Sequence, residues 1–368
     1  MPLNFDPDRY RDRIAQSERR LAIAYSFQEP DQVPVLIPLG GSFFCDLFGY
    51  NIAEYYQRRD LNLEVQLKGL QWSYEELQDD RTGFGIGLDI GPRGEGLLFG
   101  GELVQPDGTS PWVRPIIHEP ADVERLRIPD PANTPGVQWY YSQLQQLRDL
   151  AKDRGVTIPV SGGLGIHPPL SAACALAGAE RIYRWMYDEP ALIHQLFDKL
   201  LQAFFRLADY ADELAGEPRT VIGLADDNSA FVSEPMYREF VLPHNRAIYE
   251  RYGTNGRYLH ADGPNDHLFA LYANELHLTS MDIGGFSDIA VAKREMHGKT
   301  IIEGNINCKD LYRDFETARP VVERIVSIGA PGGGYIFAVG GEAYAGINPD
   351  TLIQSVRHAQ HITRKPPE

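Results

Sequence analysis

The stretch "RTVIGLADD" (219–227) is an apolar, β-branched run that ends in two acids, and the amphipathic stretch "EPMYREFVLPHNRAIYERYG" (234–253) follows it. The next stretch, "GRYLHADG" (256–263), is again a short apolar run with a polar end. Two short strands joined by one helix are typical of a βαβ unit with parallel strands. The sequence therefore predicts a parallel sheet here, with the polar strand ends on one edge.

The same alternation continues along the whole chain. Further strands are predicted at 32–39, 155–163, 276–282, 299–307 and 332–341, and further helices at 51–80, 194–216 and 348–362. About eight such units fit an α/β fold of the (β/α)8 TIM-barrel type. We expect one domain over residues 1–368.

Two other segments bear on the fold. A doubly wound sheet usually has a glycine-rich phosphate loop after its first strand, but "PLGGSFFCDLFG" (38–49) contains neither GxGxxG nor GxxxxGK[ST]. The glycine- and turn-rich segment 91–120 predicts a short β-hairpin insertion on the barrel.

Composition excludes several classes of function. The chain has a formal charge of −16 over 368 residues, which opposes binding to phosphate backbones and anionic lipids. The cysteines Cys45, Cys174 and Cys308 are too few and too far apart for a disulfide framework or a CxxC zinc site. Since neither a signal peptide nor an apolar run of about 20 residues is visible, we expect a cytoplasmic protein that binds neither nucleic acid nor membrane.

Polar residues end the predicted strands, at the edge where barrels of this class place their active sites. They are Asp226, Asp227, His260, Asp262, Asp282, Glu303, Asn305 and Glu342. A buried carboxylate at the end of an apolar strand is costly unless a metal, a proton or a hydrogen-bond donor compensates it. Several of them at one barrel mouth therefore indicate a functional site.

The pair His260-x-Asp262 is the first candidate. Residues two apart in an extended chain point to the same side, so imidazole and carboxylate face one centre. This donor set suits zinc, and also iron or manganese. The alternative is that Asp262 caps the turn at 263–264 and His260 merely ends a strand.

The other candidates also have structural alternatives. Asp226 and Asp227 suit acid/base or metal chemistry, although adjacent residues at a strand end diverge and one of them then serves as a loop cap. Glu303 and Asn305 share one face of their predicted strand. His167, in "GIHPP", is either a pocket residue or a loop element.

Glu342 lies between glycines that allow a ligand to approach the backbone closely, or it is a solvated acid in a turn. No GxSxG elbow or Ser-His-Asp signature is present, which disfavours an acyl-transfer hydrolase.

Several ordered motifs together carry a family resemblance. They are "EPDQVPV" (29–35), "DEPALIHQLFDKL" (188–200), "SEPMYREFVLPHNRAIYE" (233–250), "YLHADG" (258–263), "IIEGNIN" (301–307) and "GGGYIFAVGGEAYAGINPDTLIQSV" (332–356). Over nearly its full length the chain resembles the superfamily of uroporphyrinogen decarboxylase and the corrinoid-dependent thiol methyltransferases. The resemblance implies a (β/α)8 barrel with its active site at the carboxyl ends of the strands.

The methyltransferase branch implies a metal. Its pattern is His-x-Cys with a second Cys after the last strand, and these residues bind a zinc ion that activates a thiol. Here His260 matches, Asp262 stands at the first Cys position, and Gly341 stands at the second, beside Glu342. The resemblance thus implies a Zn²⁺ site with harder ligands, formed by His260, Asp262 and Glu342, or by Glu303 in place of the last.

The resemblance also implies roles for other groups. Asp226 or Glu303 would manage a proton, and a methyl group would pass between a small methylated substrate or thiol and cobalamin on a partner corrinoid protein. Asn305, His167 and Asp227 are predicted to bind substrate. We also expect a homodimer.

The decarboxylase branch is the alternative. It uses no metal and holds its tetrapyrrole against an aspartate, for which Asp89 in "LDIG" is the possible counterpart. Its arginine-rich stretch after the first strand, however, corresponds here to 38–50, which contains no arginine. Uroporphyrinogen decarboxylation in haem biosynthesis is therefore the second hypothesis, and a non-catalytic small-molecule-binding barrel is the third.

Overall fold

Parallel strands form the centre of the structure. The computed structural model describes residues 5–106 and 108–366. Its strands are β1 Ile86–Gly87, β2 Leu103–Val104, β3 Trp112–Val113, β4 Val160–Ser161, β5 Val221–Ala225, β6 Gly256–His260, β7 Ser280–Asp282, β8 Ile301–Ile306 and β9 Tyr335–Val339. Strands β5 to β9 form one parallel sheet in sequence order, and β1 pairs in parallel with β4.

Helices connect the strands and cover the sheet. They are α1 Arg11–Tyr25, α2 Gly41–Phe48, α3 Ile52–Gln57, α4 Arg59–Trp72, α5 Gly94–Phe99, α6 Pro120–Arg125, α7 Pro135–Asp153, α8 Pro169–Ala177, α9 Ala179–Asp188, α10 Pro190–Ala215, α11 Glu234–Met236, α12 Leu242–Tyr252, α13 Phe269–Leu271, α14 Ile289–Met296, α15 Phe315–Gly329 and α16 Pro349–Thr363, with short 3-10 and π turns between some of them. No helix in these described ranges is long and apolar enough to cross a bilayer.

The first predicted strand, at 32–39, joins the last one. Parallel bridges link Val35 to Phe337 and Leu39 to Ala343, so this stretch lies beside β9. Parallel pairing thus extends from β5 through β9 to this stretch, and β1 and β4 form a second parallel pair. The predicted TIM-barrel fold is confirmed.

Alternation along the strands decides which side chains face the barrel interior. In β6 and the residue after it, Leu259 and Ala261 belong to the main hydrophobic cluster beneath the helices. Because successive side chains of a strand point to opposite faces, Tyr258, His260 and Asp262 lie on the inner face. The apolar half of this strand thus anchors the polar half at the barrel mouth.

Two predicted segments differ in detail. The hairpin predicted within 91–120 is present as the antiparallel pair β2 and β3, but residues 94–99 form helix α5, because Leu98 is buried in a second apolar cluster. The strand predicted at 155–163 shrinks to β4, residues 160–161. Pro159 lies just before it and cannot donate a ladder hydrogen bond.

Candidate metal centre and active site

Three side chains meet at the mouth of the barrel. His260 ends β6, Asp262 follows it, and Asp227 follows β5. The Nε2 atom of His260 lies 3.6 Å from Asp227 Oδ1 and 3.8 Å from Asp262 Oδ1. One ligand atom of each residue lies within 4.8 Å of the others, and Asp262 Oδ1 is buried without a hydrogen-bond partner among the described residues. A divalent cation would satisfy this oxygen and both neighbours, so the donor set fits a metal site.

A third carboxylate, that of Asp282, orients the imidazole. The Nδ1 atom of His260 lies 3.0 Å from Asp282 Oδ2, at the end of the neighbouring strand β7. Asp282 is buried and also accepts hydrogen bonds from the backbone N–H groups of Gly284 and Gly341, each at 3.0 Å. With Nδ1 donating to Asp282, the lone pair of Nε2 faces Asp227 and Asp262, which is the usual arrangement of a metal-binding histidine.

Burial and neighbouring charges shift the pKa values of His260 and Asp262. Burial alone would lower the pKa of His260, but the hydrogen bond to Asp282 and the charges of the three aspartates outweigh it and raise this pKa to about 9. Burial raises the pKa of Asp262 to about 6, against the attraction of the His260 charge. The cluster by itself therefore binds protons, and a metal ion would displace them.

Glu342, predicted as the third ligand, lies beside the cluster but not within it. Its Oε1 packs against Gly40, where an added Cβ would lie 2.0 Å away. Burial raises the pKa of Glu342, the charge of Asp89 adds to the shift, and His260 opposes it. The closely spaced trio instead contains Asp227, which we had predicted to bind substrate. Ligation by Glu342 stays a prediction.

Asp226 points away from the cluster. It continues the outer face of β5, and its carboxylate accepts hydrogen bonds from Ser171 Oγ at 2.7 Å and Asn245 Nδ2 at 2.9 Å. The side chain is fully buried, and this burial raises its pKa to about 6. The structure therefore does not bring Asp226 to His260. The alternation from Leu224 to Asp226 was the signal that could have placed it outside the mouth.

Glu303 and Asn305 lie on the inner face of β8, as predicted. Tyr25 Oη donates a hydrogen bond to Glu303 Oε1 at 3.5 Å, and burial raises the pKa of Glu303 to about 7. Asn305 is buried, and its amide donates to the carbonyls of Gly284 at 3.1 Å and Ser287 at 2.7 Å. Asn305 thus fixes the loop after β7, and its role in substrate binding stays a prediction.

The raised pKa of Glu303 makes stability depend on pH. An acid whose pKa is higher in the folded state destabilises the fold as pH rises from about 4.5, its unfolded value, through about 7. We expect Glu303→Gln to raise the free energy of unfolding by about 2 kcal/mol at pH 8, after allowance for partial exposure, and by much less at pH 5. Urea unfolding at both pH values measures this, with the exposed Glu316→Gln as control. An equal effect at both pH values would contradict the assignment.

A cavity of about 360 Å³ is lined by β5 and by the segments that follow β1 and β4. Its lining includes Asp89, Arg93, Glu95, Tyr140, His167, Gly223 and Ala225. Ala225 is the register partner of His260 across the β5–β6 pair. A small molecule in this cavity therefore lies one strand away from the imidazole, with room for a drug-sized ligand or smaller.

Two predicted site residues line this cavity. Asp89 accepts hydrogen bonds from Tyr55 Oη and the Gly91 N–H, both at 2.9 Å. His167 Nδ1 lies 2.8 Å from Glu95 Oε1, and the His167 N–H donates to the same oxygen at 2.7 Å. Burial lowers the pKa of His167, but the buried Glu95 carboxylate outweighs it, so the net pKa is raised.

Comparison with known proteins identifies the family of the chain. The family model "Uroporphyrinogen decarboxylase (URO-D)" matches residues 16–364. The chain belongs to the URO-D family. Within it, this URO-D member is 26% identical over 274 residues to the uroporphyrinogen decarboxylase of Azotobacter vinelandii, covering 69% of this chain and 73% of that protein. It is also 26% identical over 292 residues to that of Shewanella piezotolerans, covering 73% and 79%.

A solved structure shares the fold. A methyltransferase from Methanosarcina mazei superposes with a TM-score of 0.68 at 17% identity, covering 94% of this URO-D member and 98% of that chain. At this identity the likeness supports the barrel and not a particular reaction.

The sequence motifs assign no site role to some residues that the structure places at the cluster or the cavity. The sequence predicts Asp282 as a polar strand end without assigning it a role, although its place on the inner face beside His260 follows from parallel pairing of β6 and β7. Arg93 directly precedes α5 and Glu95 lies in its first turn, and no periodic pattern in this short segment indicates where their side chains point. Only the structure shows that both line the cavity.

Proposed function

We propose that this URO-D member is a metal-assisted methyltransferase in which Asp227, His260 and Asp262 bind a divalent cation. The observation that carries the proposal is the meeting of these side chains around an unpartnered, buried Asp262 oxygen. Zinc suits one imidazole and two carboxylates. When bound, such an ion supplies Lewis-acid polarisation of a substrate heteroatom.

Two further groups would orient the histidine ligand and supply a proton. Asp282 orients the imidazole through its 3.0 Å hydrogen bond. His167, held by Glu95, keeps a proton at the cavity and is placed to donate it to a departing oxygen or sulfur. This assigns proton transfer to His167 instead of Asp226, whose carboxylate is enclosed by Ser171 and Asn245.

The chemistry of the proposed ligands indicates the class of substrate. Carboxylate ligands are harder than thiolates and donate less charge, which favours oxygen-containing substrates such as methyl ethers over thiols. In this proposal the methyl group passes to cobalamin on a partner corrinoid protein. The match of His260 to the methyltransferase pattern and the arginine-free stretch 38–50 support this branch over the decarboxylase.

Metal removal tests the proposal. We expect methyl transfer from methyl ethers to a corrinoid protein to fall to background after treatment with a chelator, and to recover with about one equivalent of zinc per chain. The assay follows the absorbance of methylcobalamin. A magnesium-treated sample serves as control, since this hard cation prefers all-oxygen sites.

The other hypotheses make different predictions in the same assays. A decarboxylase would act on a porphyrinogen, would be insensitive to the chelator and would lose activity in Asp89→Asn. A binding barrel would retain small molecules without turnover. Chelator-resistant activity of the native chain would contradict the proposal.

A further inference from the structure

A buried arginine without a full set of partners faces the cavity. Arg93 is 5% exposed and lines the cavity beside the barrel mouth. Its Nε donates to the Ile90 carbonyl, but its buried Nη2 has no hydrogen-bond partner in the described part of the chain. The Trp139 ring lies 5.7 Å from the guanidinium and helps to hold it in place. A buried, partly unpaired guanidinium is costly, so such a group usually awaits an anion.

A second guanidinium lies close by. Arg59 is 9% exposed, and its Nε and Nη1 are buried without a partner among residues 5–106 and 108–366. Burial lowers the pKa of Arg93 to about 10, and the charge of Arg59 contributes to this shift. Asp89 is near both arginines, but its oxygens already accept from Tyr55 and Gly91. Two positive charges therefore face one carboxylate.

The local charge indicates the kind of anion. The remaining charged pair of the cavity, His167 and Glu95, is neutral as a whole when the imidazole is protonated. The two arginines less Asp89 then leave one positive charge, in a chain whose net charge is −16. A singly charged carboxylate balances this excess, whereas a doubly charged phosphate would exceed it beside Asp89 and Glu95. A guanidinium also matches a carboxylate by forming paired hydrogen bonds.

We infer that Arg93, with the charge of Arg59 nearby, binds a carboxylate group of the substrate. The cavity that Arg93 lines also contains Ala225, the register partner of His260, so a molecule held at Arg93 extends toward the metal cluster. The substrate class is therefore a small methylated molecule that also carries a carboxylate. The carboxylate subsite stands on its own, and the methylated part of the assignment rests on the proposed function.

Binding of benzoate, a small carboxylate, tests the subsite. Titration calorimetry is carried out with the native chain in excess chelator, so that a metal cannot hold the probe. We expect benzoate to bind at least about 10-fold more tightly than the neutral benzamide, because only benzoate satisfies the charge of Arg93. This comparison needs no substitution, and equal affinities would overturn the inference.

Variants locate the effect. We expect Arg93→Gln to weaken benzoate binding at least about 10-fold, and Arg93→Lys to weaken it less. Arg114→Gln is the matched control, because this exposed arginine directly after β3 pairs with Glu102 on the surface. Unchanged affinity in Arg93→Gln, or binding of inorganic phosphate without binding of benzoate, would overturn the carboxylate subsite.

The two proposals fail in different ways. Benzoate binding that depends on Arg93, in a native zinc-loaded chain that shows no methyl transfer, would refute only the proposed function. Methyl transfer with the same kcat/KM in the native chain and in Arg93→Gln would refute only the subsite.

Discussion

Replacing His260 by alanine should remove the metal from the protein. We expect about one zinc ion per chain in the native protein and metal affinity lowered by more than about 100-fold in His260→Ala, since loss of even an outer-shell partner costs 10- to 100-fold. His260 is the only nitrogen donor of the trio, and its Nε2 faces both carboxylates at 3.6 and 3.8 Å. Elemental analysis and competition with a chromophoric chelator measure the change.

A matched histidine controls for the substitution itself. His194 is partly exposed and lies 3.7 Å from Glu239, far along the chain from the strand ends. His194→Ala should keep its zinc, and both variants should show the native circular dichroism spectrum. Equal zinc content in His260→Ala and the native chain would show that the ion, if bound, is held elsewhere.

Adding a single methyl group at Gly341 should also disrupt the cluster. An added Cβ would lie 2.5 Å from Asp262 Oδ1 and 2.7 Å from Oδ2, closer than real Cβ atoms come to other atoms. We expect Gly341→Ala to displace the Asp262 carboxylate and to lower metal affinity by about 10- to 100-fold. Isothermal titration with zinc measures the affinity of the variant.

Gly100→Ala is the control that distinguishes the effect of the Asp262 contact from the effect of backbone strain. Gly341 and Gly100 have nearly the same φ, 88° and 86°, so alanine at either position costs about 1–2 kcal/mol of stability. An added Cβ at Gly100 meets nothing within 4 Å. Gly100→Ala should therefore lose stability but keep native zinc affinity. If both variants bound zinc equally, the packing of Asp262 against Gly341 would not matter to the site.

The contact at Gly341 also gives a physical reason for the ligand set that we propose. By resemblance, position 341 corresponds to the second cysteine of the thiol methyltransferases and position 262 to the first. The Asp262 carboxylate occupies the space that a side chain at 341 would enter. Aspartate at 262 and glycine at 341 therefore fit together sterically. The Asp262 carboxylate occupies part of the space that two cysteine side chains at these positions would take in the thiol methyltransferases.

The barrel can be predicted from the sequence because its strands are short apolar runs, most of which end at a polar residue. This pattern is local and does not depend on long-range contacts. The sequence also placed His260 and Asp262 on one face, since period-two alternation holds within β6. It did not place Asp227 in the trio, because the turn after β5 sends Asp226 outward and Asp227 inward. Alternation along β5 indicates the outward direction of Asp226, which Ser171 and Asn245 then hold, but it does not extend to Asp227 in the 3-10 turn that follows.

The cavity was harder to predict for a similar reason. Arg93 and Glu95 lie at the start of the short helix α5, whose position is fixed by contacts such as that of Gly94 with the Gly165 carbonyl. No periodic pattern shows where their side chains point. Their chemistry becomes visible only once β1, β4 and β5 bring them beside His167.

Anomalous X-ray scattering at the zinc absorption edge tests the central claim most directly. On crystals of the native chain equilibrated with zinc, we predict an anomalous difference peak in contact with His260 Nε2 and with carboxylate oxygens of Asp227 and Asp262. A map without a peak at these three residues, or with its strongest peak elsewhere, would contradict the account.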